Sequence, residues 1–267
     1  MRNKGTIMYK AFNIEDLFID DIILKKNAYL RKNRACIEAV EHDYVKPIES
    51  YLKQGVVFDG NAMKQGWFPS IKEFDVFISH SRNDKNLAYA LAWELQEKFN
   101  LTSFIDSIVW KHFSSLKSAL DVFFQEKYLE EYDATFQSRV NQHVLLMLNT
   151  SLMEVMDRSE CLFFLNTSKC MEFDENEDFV TDSPWIFSEI GIFNNIRKKQ
   201  KRKQMSEAQE ATACFSGIRY KLDLQDFEDI DNNDFDKWMN INERNKRLGI
   251  NKHPLDSLYA FCSRRVK

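Results

Sequence analysis

Glycine and proline are scarce in this chain, which has seven and four of them among 267 residues. No segment has the GxGxxG or GK[ST] pattern of a glycine-rich phosphate loop, which argues against a dehydrogenase and against a P-loop enzyme. Three glycines and one proline fall within GVVFDGNAMKQGWFPS, residues 55–70. That segment is therefore interpreted as a connector between two parts of the chain.

Cysteine is also sparse, with five scattered residues and no CxxC pair, so neither a disulfide framework nor a zinc site is indicated. The acidic runs do not match the spacing of an EF-hand, which has a central glycine. Four of the five histidines, His42, His112, His143 and His253, show no metal-ligand spacing among themselves. We therefore expect no metal site.

Long apolar runs are missing as well, since none approaches the roughly 18 residues that a membrane-spanning helix needs. The start, MRNKGTIMYK, lacks the apolar stretch of a signal peptide. A net charge of -4 argues against a general nucleic-acid binder. The basic run RKKQKRKQ, residues 197–204, fits a solvated helix end, where cations suit the negative pole of the dipole. We expect a cytoplasmic protein with no nucleic-acid or membrane partner.

An alternation of β and α patterns occupies the middle of the chain. The run FDVFISHS, residues 74–81, predicts a buried strand, and Leu87, Leu91, Leu95 and Phe99 follow at helical spacing. Asn83 and Asp84 are candidate N-caps for that helix. Three further strands are predicted in LTSFIDS (101–107), CLFFLNTS (161–168) and FSGIRYKLDL (215–224), and a helix in SPWIFSEIGIF (183–193).

Three regions are predicted from these patterns. Residues 1–70 form a helical extension and connector, residues 71–225 an α/β domain, and residues 226–267 a helical segment that packs on that domain. The inward positions of the extension are predicted to be Leu17, Ile22, Leu24, Tyr29, Ile37 and Val40. Residues 108–138 are long for a loop and rich in aromatics, which is typical of a functional or partly helical connection.

Alternating β and α elements predict a doubly wound parallel sheet, whose ligands gather outside the carboxyl ends of the strands. The side chains that follow the predicted strands are Ser79, His80 and Ser81, then Asp106 and Ser107, then Asn166, Thr167 and Ser168. Glu189 lies on the next helix, and Trp185 shares its face because the two are four residues apart. An isolated WxxxE on a helix is more often packing than a site.

The order FDVFISHSRND, helix, SFIDS, buried strand and W-x-x-x-E resembles the TIR (Toll/interleukin-1 receptor) domain over residues 71–225. Within that family the chain is most similar to stand-alone bacterial TIR proteins of antiphage defence, such as the TIR subunit of Thoeris systems. The resemblance implies a flavodoxin-like fold. The chain departs from the family pattern in two places. The connector after Asp106 is long and lacks Gly and Pro, and the first 70 residues lie outside the pattern.

For the enzymatic branch, the resemblance implies cleavage of NAD+ between nicotinamide and ribose, with NAD+ as substrate and no cofactor. Glu189 matches the catalytic glutamate and Trp185 its companion. The loop containing His80, Ser81 and Arg82 matches the lining of the NAD+ pocket. The substrate-binding residues implied by the family pattern and by the strand ends together are Ser79, His80, Ser81, Arg82, Asp106, Trp110, Asn166 and Trp185.

One carboxylate can suffice for this reaction, because nicotinamide leaves as a neutral base and needs no general acid. The ribose gains oxocarbenium character, which a nearby anion stabilises. The acceptor then decides the product: water gives ADP-ribose, an internal nucleophile a cyclic isomer, and another nucleophile a conjugate. For an antiphage protein, the resemblance implies a nucleotide signal that acts on a downstream effector.

Two other functions stay open. Many TIR domains are non-catalytic adaptors that assemble through their surfaces, and self-association is expected in either case. A receiver-like domain is less favoured, because paired acidic residues are absent after the first predicted strand. A nucleophile or base role for His80 is also disfavoured, because no acidic residue is placed by the sequence to orient it and no nucleophile elbow is present.

Overall fold

A parallel five-stranded sheet forms the centre of the computed structural model, which describes residues 10–34, 47–68, 73–105, 107–168, 170, 172–173, 179–195 and 220–263. The strands are β1 (Lys10–Glu15), β2 (Leu52–Gln54), β3 (Val57–Phe58), β4 (Phe74–Ser79), β5 (Ser103–Ile105), β6 (Ser159–Asn166), β7 (Glu172–Phe173), β8 (Phe179–Thr181), β9 (Tyr220–Lys221) and β10 (Phe227–Ile230). The central sheet has the order β10-β1-β6-β4-β5, β2 pairs with β3, and β7-β8-β9 form a small antiparallel sheet.

Helices cover both faces of the central sheet. They are α1 (Ile22–Lys32), α2 (Gly60–Trp67), α3 (Lys85–Phe99), α4 (Ser107–Lys127), α5 (Ala134–Asp157), α6 (Pro184–Asn195), α7 (Asn232–Arg247) and α8 (Pro254–Cys262), with short 3-10 segments at Ile48–Tyr51 and Arg82–Asp84. One apolar core joins the sheet to α1, α3, α7 and α8, and that side is called the α3 face. The other core joins the sheet to α2, α4, α5 and α6, and that side is called the α6 face.

The two faces explain why the middle of β6, Cys161 to Leu165, is apolar at every position. Cys161, Phe163 and Leu165 point to the α3 face, whereas Leu162 and Phe164 point to the α6 face. Successive side chains of a strand alternate between faces, so a strand covered on both sides needs apolar residues at every position. The predicted α/β class and parallel sheet are therefore confirmed. In the part of the chain that the structure describes, no helix has the length and apolar character to cross a membrane.

The main difference from the prediction is in the first 70 residues. Residues 10–15 were expected within a helical extension, but they form β1, which lies between β6 and β10 and pairs with both. The helical expectation is wrong there because Ala11, Phe12 and Ile14 are buried on alternating faces, which a strand achieves. Leu24 is also misassigned as an inward position, since it is 67% exposed on α1.

The predicted fourth strand is the second correction. Of the segment 215–224 the structure describes residues 220–224, and Tyr220–Lys221 form β9 of the small antiparallel sheet. The fourth and fifth places of the central sheet are taken instead by β1 and β10. The β5-β4-β6 part keeps the 2-1-3 order of flavodoxin-like sheets, and the strand beside it comes from the N-terminal region.

The aromatic segment 108–138 is helical rather than a loop over most of its length. It spans most of α4 and the start of α5, and its rings pack together across the turn between the two helices. Phe124 contacts Phe123 and Phe136, and Phe136 contacts Tyr132. Inward positions Ile37 and Val40 of the predicted extension lie outside the described residues.

A substitution at Phe12 can test whether β1 belongs to the core. It is fully buried, with its ring edge-on to Phe163 at 5.5 Å and stacked on Tyr259 at 6.0 Å between centroids. We predict that Phe12→Ala lowers the free energy of unfolding by about 3–5 kcal/mol in urea titrations, because it leaves a cavity. The control Phe18→Ala, at a side chain that is 70% exposed, should change it by less than about 0.5 kcal/mol. Equal effects would contradict the central position of β1.

An ion-pair cluster ties α1 to α3. Glu94 of α3 contacts Lys25 of α1 at 2.6 Å and Lys98 at 2.7 Å, and 8% of the Glu94 side chain is exposed. Burial acts to raise the pKa of Glu94, but the two lysines outweigh it and the pKa is lowered below its ordinary value. A depressed pKa in the folded state stabilises the protein above the unfolded pKa, and this contribution is lost as pH falls through the folded pKa.

We therefore predict that Glu94→Gln lowers the free energy of unfolding by about 1–2 kcal/mol at neutral pH. The deficit should shrink as pH falls below about 4, where the native carboxyl becomes protonated as well. Urea titrations at several pH values measure this. The control is Glu97→Gln on the same helix, whose ion pair with Lys32 is exposed and should contribute less than about 1 kcal/mol. A Glu94→Gln deficit that is independent of pH would refute the assignment.

Candidate functional site

The topological switch point of the sheet lies between β4 and β6. After β4 the chain crosses to β5 on one side, and it then returns to β6 on the other side of β4. The pairing Ser79↔Phe164 brings the carboxyl ends of these two strands level with each other. Ligands of open α/β sheets bind in the crevice at such a point. The candidate site is therefore built on the ends of β4 and β6 and on α6, which follows β6.

Glu189 reaches this point from α6. Ile186, Ile190 and Phe193 anchor the helix on the α6 face, and Glu189 lies three residues after the first and four before the last. That spacing turns Glu189 toward the sheet, where it is 0% exposed. Ser79 at the end of β4 donates a hydrogen bond from Oγ to Oε2 of Glu189 at 2.5 Å. Two of the predicted site residues are thus in direct contact.

Trp185 lies one helical turn before Glu189 on α6. Its indole is half-buried and edge-on to the ring of Phe113 in α4, with 6.2 Å between the centroids. Trp185 therefore forms an apolar contact between α4 and α6 beside the carboxylate. The sequence singled out Phe113 only as one of the aromatic residues of segment 108–138. Its contact with Trp185 shows that it lies next to the candidate site.

A second buried carboxylate, Asp84, links the loops after β4 and β6. It is 4% exposed, and its Oδ2 accepts hydrogen bonds from Ser81 Oγ at 2.6 Å and Thr167 Oγ1 at 2.5 Å. The Cys170 thiol lies 3.7 Å from the same oxygen. Burial raises the pKa of Cys170, and the charge of Asp84 adds to the rise, so the thiol stays protonated at neutral pH.

The predicted role of the Asp84 side chain as an N-cap is wrong. It occupies the N-cap position of α3, but its side chain makes no capping hydrogen bond and faces the two loops instead. The Ser81-x-x-Asp84 spacing and the Thr167 hydroxyl were visible in the sequence, but their meeting depends on the pairing of β4 with β6. Asp84 is the residue at this edge of the sheet whose role sequence reasoning missed.

The other predicted residues are more dispersed. His80 is buried at 4% exposure, Arg82 is exposed, and Asn166 is half-buried at the end of β6, in register with Glu15 of β1. Asp106 lies outside the described residues. Trp110 lies within α4, but its side chain lies outside the described part. Side-chain hydrogen bonds join Ser79 to Glu189, and join both Ser81 and Thr167 to Asp84.

Comparisons with protein-family models, with curated proteins and with solved structures found no match for this chain. Among the described residues, the one group of His, Cys, Asp or Glu side chains close enough to share a metal ion lies at the amino-terminal edge of the sheet, away from Glu189.

Asp84 provides a test of how the two loops are held. We predict that Asp84→Ala lowers the free energy of unfolding by about 3 kcal/mol, because Ser81 and Thr167 both lose a charged acceptor in a buried place. The exposed residue Asp20 supplies the control, since Asp20→Ala should change stability by less than about 0.5 kcal/mol. Urea titrations compare the two, and a mild effect of Asp84→Ala would show that the loops do not depend on this carboxylate.

Proposed function

We propose that the protein is an NAD+ nucleosidase of the TIR type. It cleaves the bond between nicotinamide and ribose and makes a signal molecule derived from ADP-ribose in bacterial antiphage defence. The observation that carries the proposal is the contact of Glu189 with Ser79 at the switch point of a parallel sheet. The motif order of the TIR resemblance supports it, since the first and last of those motifs supply these two residues.

In the proposed reaction, the C–N bond to nicotinamide breaks and both of its electrons stay on the pyridinium nitrogen, which becomes neutral. The ribose carbon gains positive charge, and Glu189 stabilises it as the nearby anion. Water or an internal nucleophile then adds to that carbon and loses a proton. Burial strengthens the effect of Glu189, because charges interact more strongly where water is excluded.

Ser79 acts on the carboxylate itself. Its hydroxyl donates to Oε2, which fixes the orientation of the Glu189 side chain. A fixed carboxylate loses little entropy when the ribose arrives. Ser79 is therefore proposed as a positioning residue, and Glu189 as the catalytic residue.

Substrate access requires a local opening, since Glu189 has no exposed surface. The half-buried contact between Trp185 and Phe113 joins α4 to α6 near the carboxylate. We infer that substrate enters where these rings separate, so that Trp185 forms an apolar wall against the bound ring. Closing helices around a substrate is a common way to exclude water from a reaction.

The second candidate function is a non-catalytic interaction module. The observation that favours it is the complete burial of Glu189, since a hydrogen bond from Ser79 also joins α6 to β4 as a purely structural link. Surface apolar side chains suit association: Leu146 and Met153 of α5 are 62% and 49% exposed and lie seven residues apart on one helix face.

The test is NAD+ turnover by the purified full chain at high concentration with a crowding agent, with products resolved by mass spectrometry. We predict that Glu189→Gln, which keeps the size of the side chain, lowers nicotinamide release by about 100-fold or more. Ser79→Ala should lower it less. The exposed α4 residue Glu126 supplies the control, since Glu126→Gln should keep the native rate.

The product mass would separate hydrolysis, cyclisation and conjugation. A native rate in Glu189→Gln would exclude Glu189 as the catalytic residue. If neither the native chain nor any variant consumes NAD+ while the chain self-associates, the interaction module is favoured instead.

A further inference from the structure

A group of three potential metal ligands lies at the amino-terminal edge of the sheet. Asp75 is near the start of β4, Glu160 near the start of β6, and His253 immediately before α8. One ligand atom from each side chain falls within 4.8 Å of the other two. We propose that these three side chains bind a divalent transition-metal ion of the zinc class, which fastens α8 to the sheet.

This place is separate from the candidate site described above. Asp75 and Ser79 lie on the same strand four residues apart, which corresponds to about 13 Å along β4. The two residues occupy opposite ends of the strand. The metal proposal therefore does not depend on the NAD+ chemistry and can be tested by itself.

The geometry is close to that of a metal centre. Zinc bonds to nitrogen and carboxylate oxygen are about 2.1 Å long, so neighbouring ligand atoms of a tetrahedral ion lie about 3.4 Å apart. Ligand atoms within 4.8 Å of each other reach that spacing by small side-chain rotations. Three protein ligands leave a fourth position for water.

Asp75 is held in place by a second set of contacts. It is 7% exposed, and its Oδ2 accepts hydrogen bonds from both the main-chain N–H and the hydroxyl of Thr102 at 2.8 Å each. Hydrogen bonds that orient a ligand are characteristic of metal sites. On the opposite side, Trp238 Nε1 donates to the carbonyl oxygen of Pro254 at 2.9 Å, which fixes the chain next to His253.

Two of the three potential ligands are carboxylates, which favours a cation between them. The Cys161 thiol lies beside Asp75, 3.5 Å from its carbonyl oxygen, and the ring of Tyr259 is nearby in the same core. The described cation near Tyr259 is Lys10, which is paired with Glu228.

The ligand set selects among metals. Imidazole nitrogen suits zinc, copper, iron and nickel, whereas magnesium and calcium prefer oxygen ligands alone. His253 makes no side-chain capping bond to α8, so its imidazole is not used by the helix end. An ion held by residues 75, 160 and 253 would connect β4, β6 and the start of α8, so its binding energy would add to the stability of the fold.

The experiment uses the full chain after chelator treatment and dialysis, with zinc titrated against a competing fluorescent chelator. We expect one zinc ion per chain. We also expect a melting temperature that rises by about 5 °C or more when free zinc is about a hundred times its Kd. His253→Gln and Glu160→Gln should each weaken zinc binding by at least about tenfold. The exposed α5 residue His143 supplies the matched control, since His143→Gln should bind zinc as the native chain does.

Three results would overturn the proposal. The first is a folded native chain, checked by circular dichroism, that binds no zinc. The second is zinc binding that is equal in His253→Gln and His143→Gln, which would place the ion elsewhere. The third is stabilisation by magnesium or calcium without stabilisation by zinc, which would exclude an imidazole ligand. None of these results depends on whether the chain consumes NAD+.

Discussion

The parallel pairing of β4 with β6 is the constraint on which the rest of the candidate site depends. It sets Ser79 level with Phe164 and so places the loop after β4 beside the loop after β6. Ser79 and Glu189 are 110 residues apart in the sequence, and they meet because α6, which follows β8, packs on the same face of the sheet as the Ser79 side chain. The same pairing brings Thr167 to Asp84. Both polar contacts at this edge therefore follow from one strand register.

Burial on both faces gives that register its strength. A one-residue slip would move the inward residues of a strand to the opposite face. In β6 this exchange would carry Phe163 into the α6 face and Phe164 into the α3 face, against differently shaped cores. Because the register is fixed, the position of each helix that follows a strand is set by the packing of its apolar side chains on the sheet. Glu189 takes its position from Ile186, Ile190 and Phe193 in this way.

Much of the fold could be predicted from the sequence, and the failures have a common physical cause. β4 and β6 were recognisable as continuous apolar runs, and α3 was recognisable because its apolar residues recur at helical spacing. The strand β1 was missed because KAFNIE is short, has Asn13 in its centre and becomes a strand only by pairing with residues 161–166 and 227–230. Non-local pairing leaves no periodic signal in so short a segment.

Prediction of the candidate site from the sequence has the same limit. Glu189 and Ser79 could be nominated because one follows a helical spacing from Trp185 and the other ends a predicted strand. Asp84 was interpreted as an N-cap because the local rule for helix starts is satisfied by its residue type. One of its actual partners, Ser81, is three residues away, but the other, Thr167, follows β6 and is separated from it by 83 positions, which local rules do not consider. Likewise, no spacing rule joins His253 to Asp75.

The two buried carboxylates differ in what the fold gains from them. Asp84 accepts hydrogen bonds from two loops, so the charge itself holds those loops together. Glu189 accepts a hydrogen bond from Ser79, so it joins one helix, α6, to one strand, β4. Removing one partner of a buried polar contact leaves the other partner unsatisfied, which costs stability. In the proposed reaction the carboxylate of residue 189 has a second role, since it meets the positive charge that develops on the ribose.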